Sequence, residues 1–173
     1  SDIEVKVSEV LILLNYFKDS YVKSNTIPVL NNSFELHLFN TFRSYIDLNK
    51  TYPIALNMHT DERGFFSEII RTEIGGQFSY STTFSNITRG NHFHTRKIER
   101  FIVLQGKAKI SLRKIGTDIV HEFLLSGEKP SYVDMPIWCT HNITNIGNDP
   151  LITSFWINEP YDPKDADTYF ENV

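Results

Sequence analysis

The sequence predicts a mainly β protein, a jelly-roll barrel preceded by a short helical segment. From Tyr52 onward the chain breaks into short runs rich in β-branched and aromatic residues, at 78–84, 101–104, 107–113, 120–124 and 151–157. Their length and spacing suit the strands of a sandwich or barrel. Clusters of turn-forming residues separate them, at 57–64, Gly75-Gly76, Thr88-Arg89-Gly90, Gly106, Gly116-Thr117-Asp118, Ser126-Gly127 and Gly147-Asn148-Asp149-Pro150. Helical periodicity is confined to the first fifty residues.

Residues 5–23 place apolar side chains three and four apart, with Ser8 and Glu9 positioned to support the first turns, so one helix is expected there. Asn25-Thr26-Ile27-Pro28 ends it, and Asn31-Asn32-Ser33 can cap a second helix over 34–48, whose apolar side comprises Leu38, Phe42, Tyr45 and Ile46. Two helices of this size cannot close a core alone. They are expected to lie on the barrel or on a second chain, or to be the remnant of a larger domain. Residues 1–50 are therefore read as a helical segment and 51–173 as the barrel with a polar C-terminal tail. Residues 160–173, polar and carrying Pro160 and Pro163, are expected to dock loosely.

At 173 residues, 40% hydrophobic and 13% aromatic, the chain can bury a core. Seventeen basic against 21 acidic residues give a formal charge of -4, which leaves no broad cationic surface for nucleic acid. A single cysteine, Cys139, excludes an internal disulfide. No apolar stretch is long enough to span a bilayer and no secretory leader is recognisable, so a cytoplasmic location is expected. The start at Ser1 without methionine suggests a processed or truncated product.

The chemistry-bearing residues lie at 92–106 and at His141. On a strand, side chains alternate between faces, so His92 and His94 share one face while Phe93 takes the other. The five-residue step from His94 to Glu99 breaks alternation, so Thr95-Arg96-Lys97 should form a turn or bulge that returns Glu99 inward. Together with His141, these residues propose a metal held by three imidazoles and one carboxylate. Zinc is the preferred ion, and iron, manganese or nickel suit the same donors. Cys139 is more readily a small buried hydrophobe than a reserve ligand.

His92-x-His94, four further residues, Glu99 and then Gly106 resembles the first cupin motif; Pro136-Ile137-Trp138-Cys139-Thr140-His141 followed by Asn145 resembles the second. Asn86 and Trp138 stand where that pattern usually has glycine. The resemblance implies a cupin double-stranded β-helix. Two more segments, Asp61-Glu62-Arg63-Gly64-Phe65-Phe66-Ser67-Glu68 and Arg89-Gly90-Asn91-His92-Phe93, resemble stretches of the nucleotide-diphosphate 4-keto-6-deoxyhexose epimerases. That likeness implies substrate binding by Arg63, Phe66, Glu68 and Arg89, with the two guanidinium forks on a diphosphate. Trp138 is a further candidate for stacking on sugar or uracil.

With the helical stretch ending Leu38-Phe39-Asn40-Thr41-Phe42-Arg43-Ser44-Tyr45, the whole chain resembles the C-terminal part of the CapF family of capsular polysaccharide synthesis enzymes. The resemblance implies a bifunctional enzyme. Its N-terminal short-chain dehydrogenase/reductase domain uses NADPH, and its C-terminal zinc cupin epimerises C-3 of a UDP-4-keto-6-deoxy-N-acetylhexosamine. Residues 1–50 would then be the end of the reductase's sugar-binding region. This chain carries no Gly-x-x-Gly-x-x-Gly loop and no Tyr-x-x-x-Lys, so no NADPH site is expected and the reductase half would be missing.

His92 aligns with the base of the related epimerases, but a nitrogen that gives its lone pair to a metal cannot also take a proton there. A metal-bound water, Tyr80, Lys97 and Tyr132 are therefore the other candidate catalytic groups, each needing a lowered pKa, and spacing chooses none of them. A non-catalytic, metal-stapled sugar-binding or dimerising barrel and an iron-dependent cupin oxygenase are the alternatives to the epimerase. A homodimer is expected, since pairing hides exposed strand edges.

Overall fold

The computed structural model describes residues 5–173; residues 1–4 of the expected helical segment lie outside the described residues. The described residues form two compact units, one comprising those up to 55 with 70–75 and the other 56–69 with 76–173.

In the first unit, α1 (Val7–Phe17) begins where the Glu9 carboxylate accepts the Lys6 N–H at 3.0 Å. It continues into a π-helical turn, Lys18–Lys23, and ends at Asn25, whose φ of 51° no helix can propagate. Strand β1 (Thr26–Ile27) pairs in parallel with Arg71 and Thr72. Helix α2 (Ser33–Ser44) starts on Asn32, whose side-chain oxygen accepts the Glu35 N–H at 3.0 Å, as the Asn-Asn-Ser signal predicts. It stops short of the expected Leu48. Asp47 instead caps a separate one-turn helix, α3 (Leu48–Thr51), by accepting the Lys50 N–H.

The core of this unit is aromatic: Phe17 and Phe39 are buried with ring centroids 5.0 Å apart, and Tyr21 packs edge-on to Phe39. Phe17→Ala is expected to destabilise this unit by about 3–5 kcal/mol, because so few other side chains can collapse into the space. Urea denaturation followed by far-UV circular dichroism checks it, and a loss below about 1 kcal/mol would contradict the packing argument.

The second unit contains β2 (His59–Asp61), β3 (Gly64–Thr72, its last residues in the first unit), β4 (Gln77–Thr83), β5 (Thr88–Phe93), β6 (Glu99–Gln105) and β7 (Lys107–Lys114). It continues with β8 (Val120–Ser126), β9 (Tyr132–Met135), β10 (Cys139–Asn145), β11 (Leu151–Ile157) and β12 (Tyr169–Phe170). One sheet runs β3-β4-β11-β6-β9 with β2 on β3; the other runs β12-β5-β10-β7-β8. This is the expected jelly-roll barrel. Val103, Ala108, Ile110, Leu112, Leu125, Met135, Ile143 and Leu151 form its buried core.

The register defines which residues face inward. Ile143 pairs with Ile110 and His141 with Leu112 across β10 and β7, while Phe155 pairs with Phe101 across β11 and β6. His141 and Phe101 thus extend the apolar core toward one end of the barrel.

Several sequence expectations are corrected. Thr88-Arg89-Gly90, read as a turn, opens β5, and β3 begins within what reads as the end of a turn region. Asn86 and Trp138, the two residues in usual glycine positions, have φ of 60° and 59°. The backbone thus keeps the left-handed turns; Asn tolerates this region readily, whereas a bulky residue is unusual there. The tail is not loosely docked. Arg96 bonds Glu159 and Asp165, the Gln77 side-chain oxygen accepts the Tyr161 N–H, and β12 pairs with β5.

Candidate metal centre

Three structural devices bring the four proposed ligands together. Strand β5 places His92 opposite His141 of β10. The turn after His94 returns the chain so that Glu99 opens β6 on the inward face with Phe101 and Val103. Finally, β10 and β5 change register between His141 and Asn142, where Asn91 has φ 61°. That bulge re-aims the side chains at the site.

One ligand atom from each of His92, His94, Glu99 and His141 lies within 4.8 Å of every other, so the four could hold a metal ion. His141 and His94 are 1% and 3% exposed. The Glu99 Oε2 is 3.1 Å from His141 Nε2 and 3.4 Å from His94 Nε2. Each histidine directs Nδ1 at a backbone carbonyl, His94 at Asp167 (2.5 Å) and His141 at Cys139 (3.3 Å). A carbonyl only accepts, so Nδ1 carries the hydrogen and Nε2 is the ring atom available for coordination.

His94 Nε2, His141 Nε2 and Glu99 Oε2 are buried and have no hydrogen-bond partner among the described residues. Three acceptors facing one point call for a cation, and this donor set fits a first-row divalent metal. Cys139 is half-buried and outside the set.

The charges of the cluster compensate one another. Burial and the neighbouring His141 depress the His92 pKa to about 4, leaving a neutral imidazole able to coordinate. For Glu99, burial pushes its pKa up, but the His141 and His94 imidazoles outweigh it and hold the carboxyl well below its usual range. For His94, burial pushes down but the Glu99 carboxylate prevails, raising its pKa.

Beyond the ligands, Phe101 lies 6.1 Å from His141, Phe155 5.2 Å from Phe101 and Phe66 5.5 Å from Phe155, an aromatic wall leading away from the cluster. Phe66 is thus connected to the site, and Glu68, two residues on, shares its face by strand alternation. Phe101 and Phe155 escaped the sequence reading, because an inward aromatic on a strand is indistinguishable from ordinary core.

Arg89 pairs in register with inward-facing Ile143. Its guanidinium crosses to β4, where it donates to the Thr83 hydroxyl at 3.1 Å and the Thr82 carbonyl at 3.1 Å. Asp61 lies 3.8 Å from Arg89 and is clasped by Arg63, which holds its carboxyl at about 2. Burial and the nearby Arg63 lower the Arg89 pKa. Arg63 and Arg89 are thus gathered around one carboxylate.

The remaining sequence candidates are not brought to the cluster. Tyr80 alternates with Ser79 and Ser81, which pair with the inward Phe155 and Thr153, so it faces outward against Phe65 and Met58. Tyr132 pairs with Ile102, one residue out of phase with inward Phe101, and lies under the Arg100 guanidinium. Lys97 is buried, but its ammonium donates to the Ala166 carbonyl at 2.8 Å. Trp138 stacks on Phe93, the residue between the two histidines that takes the opposite face of β5.

The fold and the site define a cupin with a three-histidine, one-glutamate cluster. Residues 59–169 match the family described as "Polysaccharide biosynthesis C-terminal domain", and the chain belongs to that family. It is 35% identical to the UDP-2-acetamido-2,6-beta-L-arabino-hexul-4-ose reductase of Pseudomonas aeruginosa, over 96% of this chain and 44% of that protein. The crystal structure of the capsular polysaccharide assembling protein CapF from Staphylococcus aureus superposes with a TM-score of 0.89 at 39% identity, over 99% of this chain and 46% of CapF. CapF with the inhibitor 3-isopropenyl-tropolone gives 0.87 at 39% identity, over 99% and 50%. The chain spans about half the length of these relatives. Among its described residues no helix is long and apolar enough to cross a membrane.

Proposed function

We propose that this chain is the epimerase module of a nucleotide-sugar enzyme, exchanging the C-3 proton of a UDP-4-keto-6-deoxy-N-acetylhexosamine. The reaction belongs to capsular polysaccharide precursor synthesis, toward UDP-N-acetyl-L-fucosamine, with a reductase half on the longer protein. The observation that carries the reading is the convergence of His92, His94, Glu99 and His141 on one point, in a chain similar to an enzyme named for a UDP-linked hexul-4-ose. Similarity to CapF, which has been crystallised with a tropolone inhibitor, adds support, since tropolones chelate metal ions through adjacent oxygens.

A ketone at C-4 acidifies the neighbouring C–H because the carbanion delocalises onto the carbonyl oxygen. A zinc ion held by the four side chains would, when bound, supply a Lewis acid for that developing oxyanion. Arg89 and Arg63 offer planar forks for the diphosphate, with Asp61 holding them beside each other until substrate arrives. Phe66 and Phe155 give an apolar wall that would exclude water beside the reacting carbon. Outward-facing Tyr80 and Tyr132, and Lys97 on its carbonyl, are poorly placed to take the C-3 proton, and the base is not assigned to them.

The test is direct. The zinc-loaded chain, incubated with the UDP-4-keto sugar in deuterium oxide, is expected to erase the H-3 resonance in the proton NMR spectrum at a rate proportional to enzyme. No exchange with metal content verified would overturn the epimerase reading in favour of a metal-stapled binding barrel. Oxygen consumption would point to the oxygenase instead.

A further inference from the structure

The geometry points to Asp167 as a positioning residue for the metal centre, holding a C-terminal strap that fixes the ring of His94; this rests on the metal reading proposed above. Asp167 is 5% exposed although it lies in the polar tail, and its φ is 42°. Its carboxylate accepts the backbone N–H groups of Thr95, Arg96 and Lys97 at 3.1, 3.0 and 3.0 Å, and the Thr95 hydroxyl at 2.5 Å. Those are the three residues that open the step between His94 and Glu99. The Asp167 backbone carbonyl, in turn, accepts the Nδ1–H of His94.

One residue therefore does two things: its side chain ties the turn between two ligands, and its main chain sets the tautomer and rotation of one of them. A histidine ligand whose second nitrogen is held by such a partner binds metal better than a free ring, because neither the tautomer nor the orientation has to be selected on binding. The strap is secured on either side. Arg96 donates to Glu159 at 3.1 Å and Asp165 at 2.7 Å, and Tyr169 and Phe170 pair with Phe93 and His92. The strap thus runs from the end of β11 to the edge of β5, past three of the four ligands' own segments.

Asp167→Asn tests the inference in the full chain. Asparagine keeps the volume and tolerates a positive φ, but it removes the charge and leaves one accepting oxygen to serve N–H groups and a hydroxyl that two oxygens shared, with an amide donor facing the Thr95 N–H in place of Oδ1. Zinc affinity, measured by competition with a chromogenic chelator, is expected to fall about 10- to 100-fold. The visible bands of the cobalt-loaded protein should shift, and long-range proton–nitrogen NMR of the metal-free protein should show His94 losing its pure Nδ1–H tautomer.

Arg96→Gln is the comparison, because it breaks the ion pairs with Glu159 and Asp165 while leaving the Asp167 contacts in place. It should cost clearly less zinc affinity than Asp167→Asn and leave the cobalt bands in place, because the Asp167 carboxylate still ties the turn. Wild-type affinity and spectrum in Asp167→Asn would overturn the assignment. So would equal losses in both variants, which would mark a general loosening of the tail. A wild-type chain that takes up no zinc would overturn the metal reading as well, an outcome distinct from failure of the strap alone.

Discussion

Chelating the metal is expected to lower the melting temperature by about 8–16 °C. At free metal roughly 1,000-fold above its dissociation constant, binding to the native state alone stabilises it by about 4 kcal/mol. For a chain of this size each kcal/mol moves the midpoint by about 2–4 °C. The size of the effect follows from what the empty cluster contains. The Glu99 carboxylate is buried 3.1 and 3.4 Å from the Nε2 atoms of His141 and His94, and none of the three atoms has a hydrogen-bond partner among the described residues. A buried charge left without a compensating partner is strongly destabilising. Differential scanning calorimetry with and without chelator checks the value. His141→Ala should melt at one temperature in both conditions, because its cluster can no longer close on the ion. A wild-type midpoint that does not move, with removal of the metal verified by elemental analysis, would contradict the assignment of these four side chains as ligands.

The sequence was most informative where one physical demand controls the residue type. A metal demands lone pairs, so His92, His94, Glu99 and His141 stand out by residue type and spacing, and the barrel's strand spacing brings the last of them back to the first three. Strand β11 could be bounded from its run Leu151–Ile157, since five of its seven residues are β-branched or aromatic. Strand β5 could not. Its residues Thr88, Arg89, Gly90, Asn91 and His92 serve a ligand pair and a bulge, and their polarity imitates a turn. The candidate tyrosines meet a related limit: composition gives a phenol, but only pairing register tells which face it takes. Asp167 carries no local signal at all. Its partners Thr95, Arg96 and Lys97 are about seventy positions away, and an acidic residue in a proline-containing tail looks like any solvated charge.

Gly90→Ala is expected to cost about 3 kcal/mol or more of stability and to weaken metal binding together with it. A Cβ built on Gly90 would stand 2.7 Å from the His141 carbonyl oxygen and 2.9 Å from the Asn142 Cα. Both are backbone atoms of the paired strand, so no side-chain rotation relieves the clash. The residue also has φ 101°, a conformation that L side chains rarely adopt and that alone costs on the order of 1–3 kcal/mol. Separation of the strands here is expected to move His141 away from His92, because the two are paired and the register shift of β5 against β10 falls beside them. Backbone strain and ligand geometry are therefore coupled at one atom. Gly116→Ala provides the contrast, with φ 82° and nothing within 4 Å of the added carbon. It should lose about 1 kcal/mol or somewhat more from strain, with zinc affinity unchanged. Urea denaturation of the metal-free proteins, set beside chelator competition for zinc, separates the two effects. Wild-type zinc affinity in Gly90→Ala would show that β5 and β10 can part without displacing His141, and would break the proposed link between the bulge and the site.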